Sequence, residues 1–83
     1  MLRIKFERVK RGWSQTCLGQ RAHAMGGLPR VIAQAEISLI EAGRLTPTDE
    51  ELEALGRALR ISPASVLLKP VLVQDPDEVQ VAS

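Results

Sequence analysis

The stretch Ile32-Ala33-Gln34-Ala35-Glu36-Ile37-Ser38-Leu39-Ile40-Glu41-Ala42-Gly43-Arg44 constrains the chain more than any other. Ala33, Ile37 and Ile40 follow an i, i+4, i+7 spacing and so fall on one face of a helix. At about 100° per residue the opposite face carries Gln34, Ala35, Ser38, Leu39 and Ala42. Gly43 follows as a residue suited to the left-handed conformation that ends a helix. Such a helix, apolar on one side and carrying small residues and one amide on the other, lies close against a second surface.

Eighty-three residues make room for one domain, which would bury roughly 60% of its unfolded surface. Phe6 and Trp13 are the only aromatic residues, which disfavours sheet architectures. It also disfavours single-strand nucleic-acid binders that stack bases on aromatic rings. The net charge of +1 hides an asymmetry. Residues 1–44 hold eight Lys/Arg against three acids (+5), and residues 45–83 hold three against seven (−4). A basic half on a nearly neutral chain suggests an anionic partner approached from one side, although solvated helix faces give the same count.

Cys17 is the only cysteine, so neither an intramolecular disulfide nor a cysteine-rich metal site is expected. No apolar run reaches the length of a membrane span and no signal peptide is visible, so a soluble cytoplasmic protein without membrane contact is expected. No phosphate-cradling glycine loop or nucleophile–base arrangement points to an enzyme. No metal and no cofactor is expected, and His23 has no second ligand near it in sequence.

Leu2 to Arg11 reads as a first helix with Leu2, Phe6 and Val9 inward and Trp13 as a hydrophobic plug beyond Gly12. Ser14 is a suitable N-cap for a second helix opening at Gln15, where the exposed N–H environment suits a phosphate. Leu18 and Ala22 point inward, and Gly19 predicts close approach of another helix. Residues 23–30, with Gly26-Gly27 and Pro29, read as a loop. Beyond the central helix, Thr48 and Glu51 form a capping box for a helix with Leu52, Leu55 and Leu59 inward. Ser62-Pro63 starts a short fifth helix through Leu68. The expected fold is therefore all-α, a compact five-helix bundle over residues 1–69. Residues 70–83 form a tail whose Val71–Val73 and Val79–Val81 runs are β-prone and read as a dimerisation arm.

Ser14-Gln15, Leu18-Gly19, Ile37-Ser38, Ile40-Glu41, Gly43-Arg44, Pro47, Leu52, Leu55, Ala58-Leu59 and Ile61-Ser62 together resemble the phage-repressor, Cro-like helix-turn-helix family over about residues 4–68. The chain departs from it in an enlarged turn of roughly eight extra residues around 23–30, and in an outer face where Gln34, Leu39 and Ala42 replace the basic or amide residues often found there. The resemblance implies a sequence-specific binder of double-stranded DNA, a small prokaryotic or phage transcriptional regulator working as a homodimer. It also implies that Gln15 meets a phosphate and that Gln34 enters the major groove, where a glutamine amide pairs with adenine. Ala35 and Leu39 then reach thymine methyls, Ser38 bonds a base or phosphate, and Arg30 and Arg44 are phosphate clamps. The apolar outer face and acidic second half favour a different class, a protein-interaction module on the same fold, such as an antitoxin-like subunit or an adaptor for RNA polymerase or a sigma factor.

Overall fold

A computed structural model describes residues 1–69. Among the described residues the elements are α1 (Arg3–Lys10), α2 (Gln15–Gly26), α3 (Gln34–Glu41) and α4 (Asp49–Leu59), followed by one 3₁₀ turn at Pro63–Ser65, with no strand. The expected β-prone tail and its role as a dimerisation arm lie outside the described residues.

The fifth helix expected through Leu68 reduces to that single turn. Its backbone bonds run to the third residue back, from Ser65 N–H to Ser62 C=O at 2.9 Å and from Val66 N–H to Pro63 C=O at 3.2 Å. A segment this short cannot repay helix nucleation on its own. Its carbonyls are used elsewhere. Ile4 N–H donates to Val66 C=O at 3.0 Å and Arg3 N–H to Leu68 C=O at 2.6 Å. Leu2 at the N-cap of α1 offers no side-chain acceptor, so the segment satisfies two of that helix's unpaired donors.

The inward face of α1 differs from the expected one. Ile4 and Glu7 are buried, Leu2, Phe6 and Trp13 are only half-buried, and Val9 is 53% exposed. Periodicity places an acid outside, but Glu7 sits inside because three cations meet its carboxylate: Arg3 at 3.2 Å, Arg11 at 2.6 Å and Lys10 at 3.7 Å. Burial alone would push its carboxyl up. Hydrogen bonds from Arg11 and Arg3, with the charges of Lys10 and Arg11, outweigh that and hold it below its ordinary 4.5. Trp13 packs at the edge of the core with the Arg21 guanidinium 4.3 Å above its ring.

Ser14 caps α2 as expected, its hydroxyl accepting from Cys17 N–H at 3.0 Å. The helix then continues past the point where a loop was expected, through His23 to Gly26, and stops at Gly27 in the left-handed conformation (φ 76°). The connector is thus Gly27 to Ala33, and it is anchored by buried Leu28 and Ile32. The carbonyl of Leu28 only accepts, so His23 Nδ1, 2.6 Å away in the last turn of α2, carries the proton. Gly19 does mark a close approach, but of this connector: a Cβ there would stand 2.0 Å from the Ile32 carbonyl oxygen. At Gly26 the neighbour is α4, with Ala54 Cβ 2.3 Å from the place a Cβ would take.

In α3, Ile37 and Ile40 are buried as expected, while Ala33 is exposed at the N-cap. The Thr48–Glu51 capping box is present, with Thr48 N–H to Glu51 Oε1 at 2.9 Å and Glu51 N–H to Thr48 Oγ1 at 3.2 Å. It opens α4, whose Ala54, Leu55, Ala58 and Leu59 complete the core and whose Leu52 is half-buried. Fully burying a side chain such as Leu55 or Leu59 contributes about 1.5–3 kcal/mol. The helix α2 packs against both α3 and α4, so α3 is held at the edge with one whole face outward.

Candidate nucleic-acid interface

Gln34, Ala35 and Ala42 are exposed on the outward face of α3, Leu39 is 43% exposed and Ser38 is half-buried. The spacing that sends Ile37 and Ile40 into the core sends these residues the other way. A crevice of about 200 Å³ beneath the connector is lined by Leu28, Arg30, Ile32 and Glu51 among others, and by none of the outward residues of α3.

Gln15 and Gln34, far apart in sequence, touch. Gln34 Nε2 donates to Gln15 Oε1 at 2.5 Å, and Gln15 Nε2 donates to Glu41 Oε1 at 3.0 Å. Glu41 is buried and grips Arg8 with both oxygens, at 2.6 Å from Nε and 3.1 Å from Nη2. Arg8 Nη1 in turn donates to the Trp13 carbonyl at 2.7 Å. The relay links α1, the start of α2 and both ends of α3. Removing one partner of such a buried pair costs about 3–5 kcal/mol, because the other charge is left uncompensated.

The expectation that Gln15 meets a phosphate rests on the backbone N–H groups at the start of α2 and does not require its side chain. The side-chain amide is engaged between Glu41 and Gln34, which leaves those backbone N–H groups as the anion-facing feature. Sequence reading found Gln15 and Gln34 separately. It missed Arg8 and Glu41 as their supports, although the buried position of Glu41, one residue after Ile40, is the signal that an acid here needs a cation.

Arg30 and Arg44 bracket α3 as expected, but in different states. Arg30 is exposed and already paired, with Nη1 3.1 Å and Nη2 3.4 Å from the Glu36 carboxylate and Nη2 3.6 Å from Glu51. The hydrogen bond and charge of Glu36 raise the guanidinium above its ordinary value. Hydrogen bonds from Arg30 and from Ala33 N–H hold the Glu36 carboxyl below its own. Arg44 is exposed beyond Gly43 and makes no ion pair among the described residues. The side chain of Leu45 next to it is 38% exposed.

No group of three or more His, Cys, Asp or Glu able to hold a metal occurs among the described residues. None of their helices is long and apolar enough to cross a membrane. A family model described as helix-turn-helix matches residues 4–66, about three quarters of the chain, and its match runs across the enlarged turn. No curated protein and no solved structure matches.

Proposed function

The chain belongs to the Cro/C1-type helix-turn-helix family, whose members are DNA-binding regulators, and from that premise we propose that it binds double-stranded DNA sequence-specifically. It acts as a small prokaryotic or phage transcriptional regulator in the cytoplasm, as a homodimer, with residues 1–69 as the DNA-binding domain and residues 70–83 as the arm that joins two copies. The observation that carries this reading is the Gln15–Gln34 contact, which holds one amide at the leading edge of an outward face otherwise made of small residues. Inserted in the major groove, Gln34 pairs with adenine, Ala35 and Leu39 meet thymine methyls, and Ser38 bonds a base or phosphate. The start of α2 at Gln15 and the side chain of Arg44 hold the backbone. Arg30 joins them by exchanging its carboxylate partners for a phosphate.

One observation favours a second reading, a protein-interaction module on the same fold serving as an antitoxin-like subunit or an adaptor for RNA polymerase or a sigma factor. Val31, Leu39 and Leu45 are 42%, 43% and 38% exposed. Titrating the purified chain against selected duplexes at increasing salt separates the two. Neutralising several phosphates makes log K fall steeply and linearly with log salt. An apolar protein contact does not behave so, and a chain that retains no duplex at low salt excludes the DNA reading.

A further inference from the structure

The Arg8–Glu41–Gln15–Gln34 relay has a direction. An ionised carboxylate accepts hydrogen bonds and donates none, and Glu41 Oε1 lies 3.0 Å from the Gln15 amide. Gln15 must therefore turn its NH₂ toward Glu41, which leaves its oxygen facing Gln34. Gln34 must then turn its own NH₂ inward to that oxygen. What remains for a base is fixed: the carbonyl oxygen of Gln34 as an acceptor and its second N–H as a donor. That pair complements the N6 amino group and N7 of adenine. The reversed amide would present two donors and complement O6 and N7 of guanine.

We infer that Glu41 is the positioning residue for base choice: through Gln15 it sets the orientation of the Gln34 amide and so selects adenine over guanine. The inference rests on the reading that Gln34 enters the major groove. Glu41 itself touches no base. Its side chain is 3% exposed and clamped by Arg8, so the relay has one polarity. A glutamine side chain alone does not distinguish its two ends in this way, because its oxygen and nitrogen occupy the same shape.

The test uses the full-length chain and a duplex it selects from a random library. Gln34→Ala first identifies the base pair that Gln34 reads, as the position where discrimination is lost. The affinities of the parent for adenine and guanine at that pair are then compared with those of two variants. The parent is expected to prefer adenine roughly 5- to 150-fold. Glu41→Gln keeps the shape but turns an NH₂ toward Gln15, which reverses both amides, and the preference moves toward guanine. Gln15→Leu leaves the Arg8–Glu41 pair intact and cuts the relay. Its adenine-to-guanine ratio falls toward one, while the loss of any backbone contact affects both duplexes alike.

Circular dichroism shows whether each variant folds. If Glu41→Gln does not, Gln15→Leu decides alone. A parent that prefers guanine at that pair, or folded variants that keep the parent's ratio, overturns the role of Glu41 and leaves Gln34 as the reading residue. If Gln34→Ala changes discrimination nowhere, the groove-facing reading falls, and the role of Glu41 with it.

Discussion

Arg30 and Glu36 face each other where the connector meets α3, their paired atoms 3.1 and 3.4 Å apart, so the cation nearest the leading end of the helix is neutralised by an acid on the helix itself. Arg30 is exposed and Glu36 half-buried, and an approaching phosphate competes for Arg30 while being repelled by Glu36. Glu36→Gln removes that repulsion and leaves the guanidinium only its longer contact with Glu51, at 3.6 Å. The variant is expected to bind duplex DNA several-fold more tightly at low salt, with the slope of log K against log salt steeper by about one phosphate contact. Fluorescence anisotropy over a salt series reads both. An unchanged slope would remove Arg30 from the contact surface.

Gln34 and Arg44 are expected to fail differently. Gln34→Ala should reduce discrimination at one adenine by about 1–3 kcal/mol while sparing random duplexes. Arg44→Ala should weaken specific and random duplexes nearly equally, as the loss of a backbone contact does. Competition binding with single-base variants measures the two patterns, and two variants that both bind like the parent would take α3 out of the groove.

Gly19→Ala tests the packing of the enlarged turn. Alanine favours a helix interior by up to about 1 kcal/mol over glycine, so propensity alone predicts a gain. The added Cβ would meet the Ile32 carbonyl oxygen at 2.0 Å, and backbone cannot yield as a flexible side chain would. A net loss of about 1–3 kcal/mol in urea unfolding is expected. A stabilised variant would mean that the connector does not rest on α2 at this point.

Glu7 makes stability depend on acid. Its folded carboxyl titrates below the ordinary 4.5, because bonds from Arg11 and Arg3 outweigh the opposing effect of burial. A group depressed in the folded state contributes its stability above the unfolded value and loses it as pH falls through the folded one. The midpoint of thermal unfolding should therefore drop as pH is lowered below about 4.5, and Glu7→Gln should flatten that drop while lowering the plateau at neutral pH. Melts followed by circular dichroism across pH 2–7 check it; parallel curves for parent and variant would put the acid sensitivity elsewhere.

How far each helix is legible in the sequence depends on how it is buried. Both α3 and α4 were legible because their inward residues are apolar at helical spacing, and Thr48 and Glu51 mark a start that side chains alone complete. The inward face of α1 was misread because Glu7 and Arg8 occupy places that periodicity reserves for apolar residues; only their partners, at positions 3, 11 and 41, explain them. The loop was placed too early because Gly26 closes α2 and only Gly27 takes the left-handed turn. At the site, the outward residues of α3 could be enumerated from spacing. The contact of Gln15 with Gln34 could not, since it depends on how α2 and α3 cross.

The proposed homodimer needs a surface that joins its two copies, and truncation separates two candidates. A single recognition helix covers only a few base pairs, and a two-fold dimer gains specificity by setting two about 34 Å apart. Within the segment from Val71 to Val81 the valines stand two apart, at 71 and 73 and at 79 and 81, the period of one face of a strand, which is the case for the arm. The described residues offer an alternative, because Val9 and Leu68 are 53% and 58% exposed. Val66 near Leu68 is fully buried and cannot serve. Deletion after Lys69 is expected to give a monomer by sedimentation, with the helical signal of residues 1–69 retained and cooperative binding to a two-site duplex lost. Val9→Glu in the full chain should leave the dimer intact. A truncated chain that still dimerises, together with a Val9→Glu chain that does not, would move the interface to the outer face of α1.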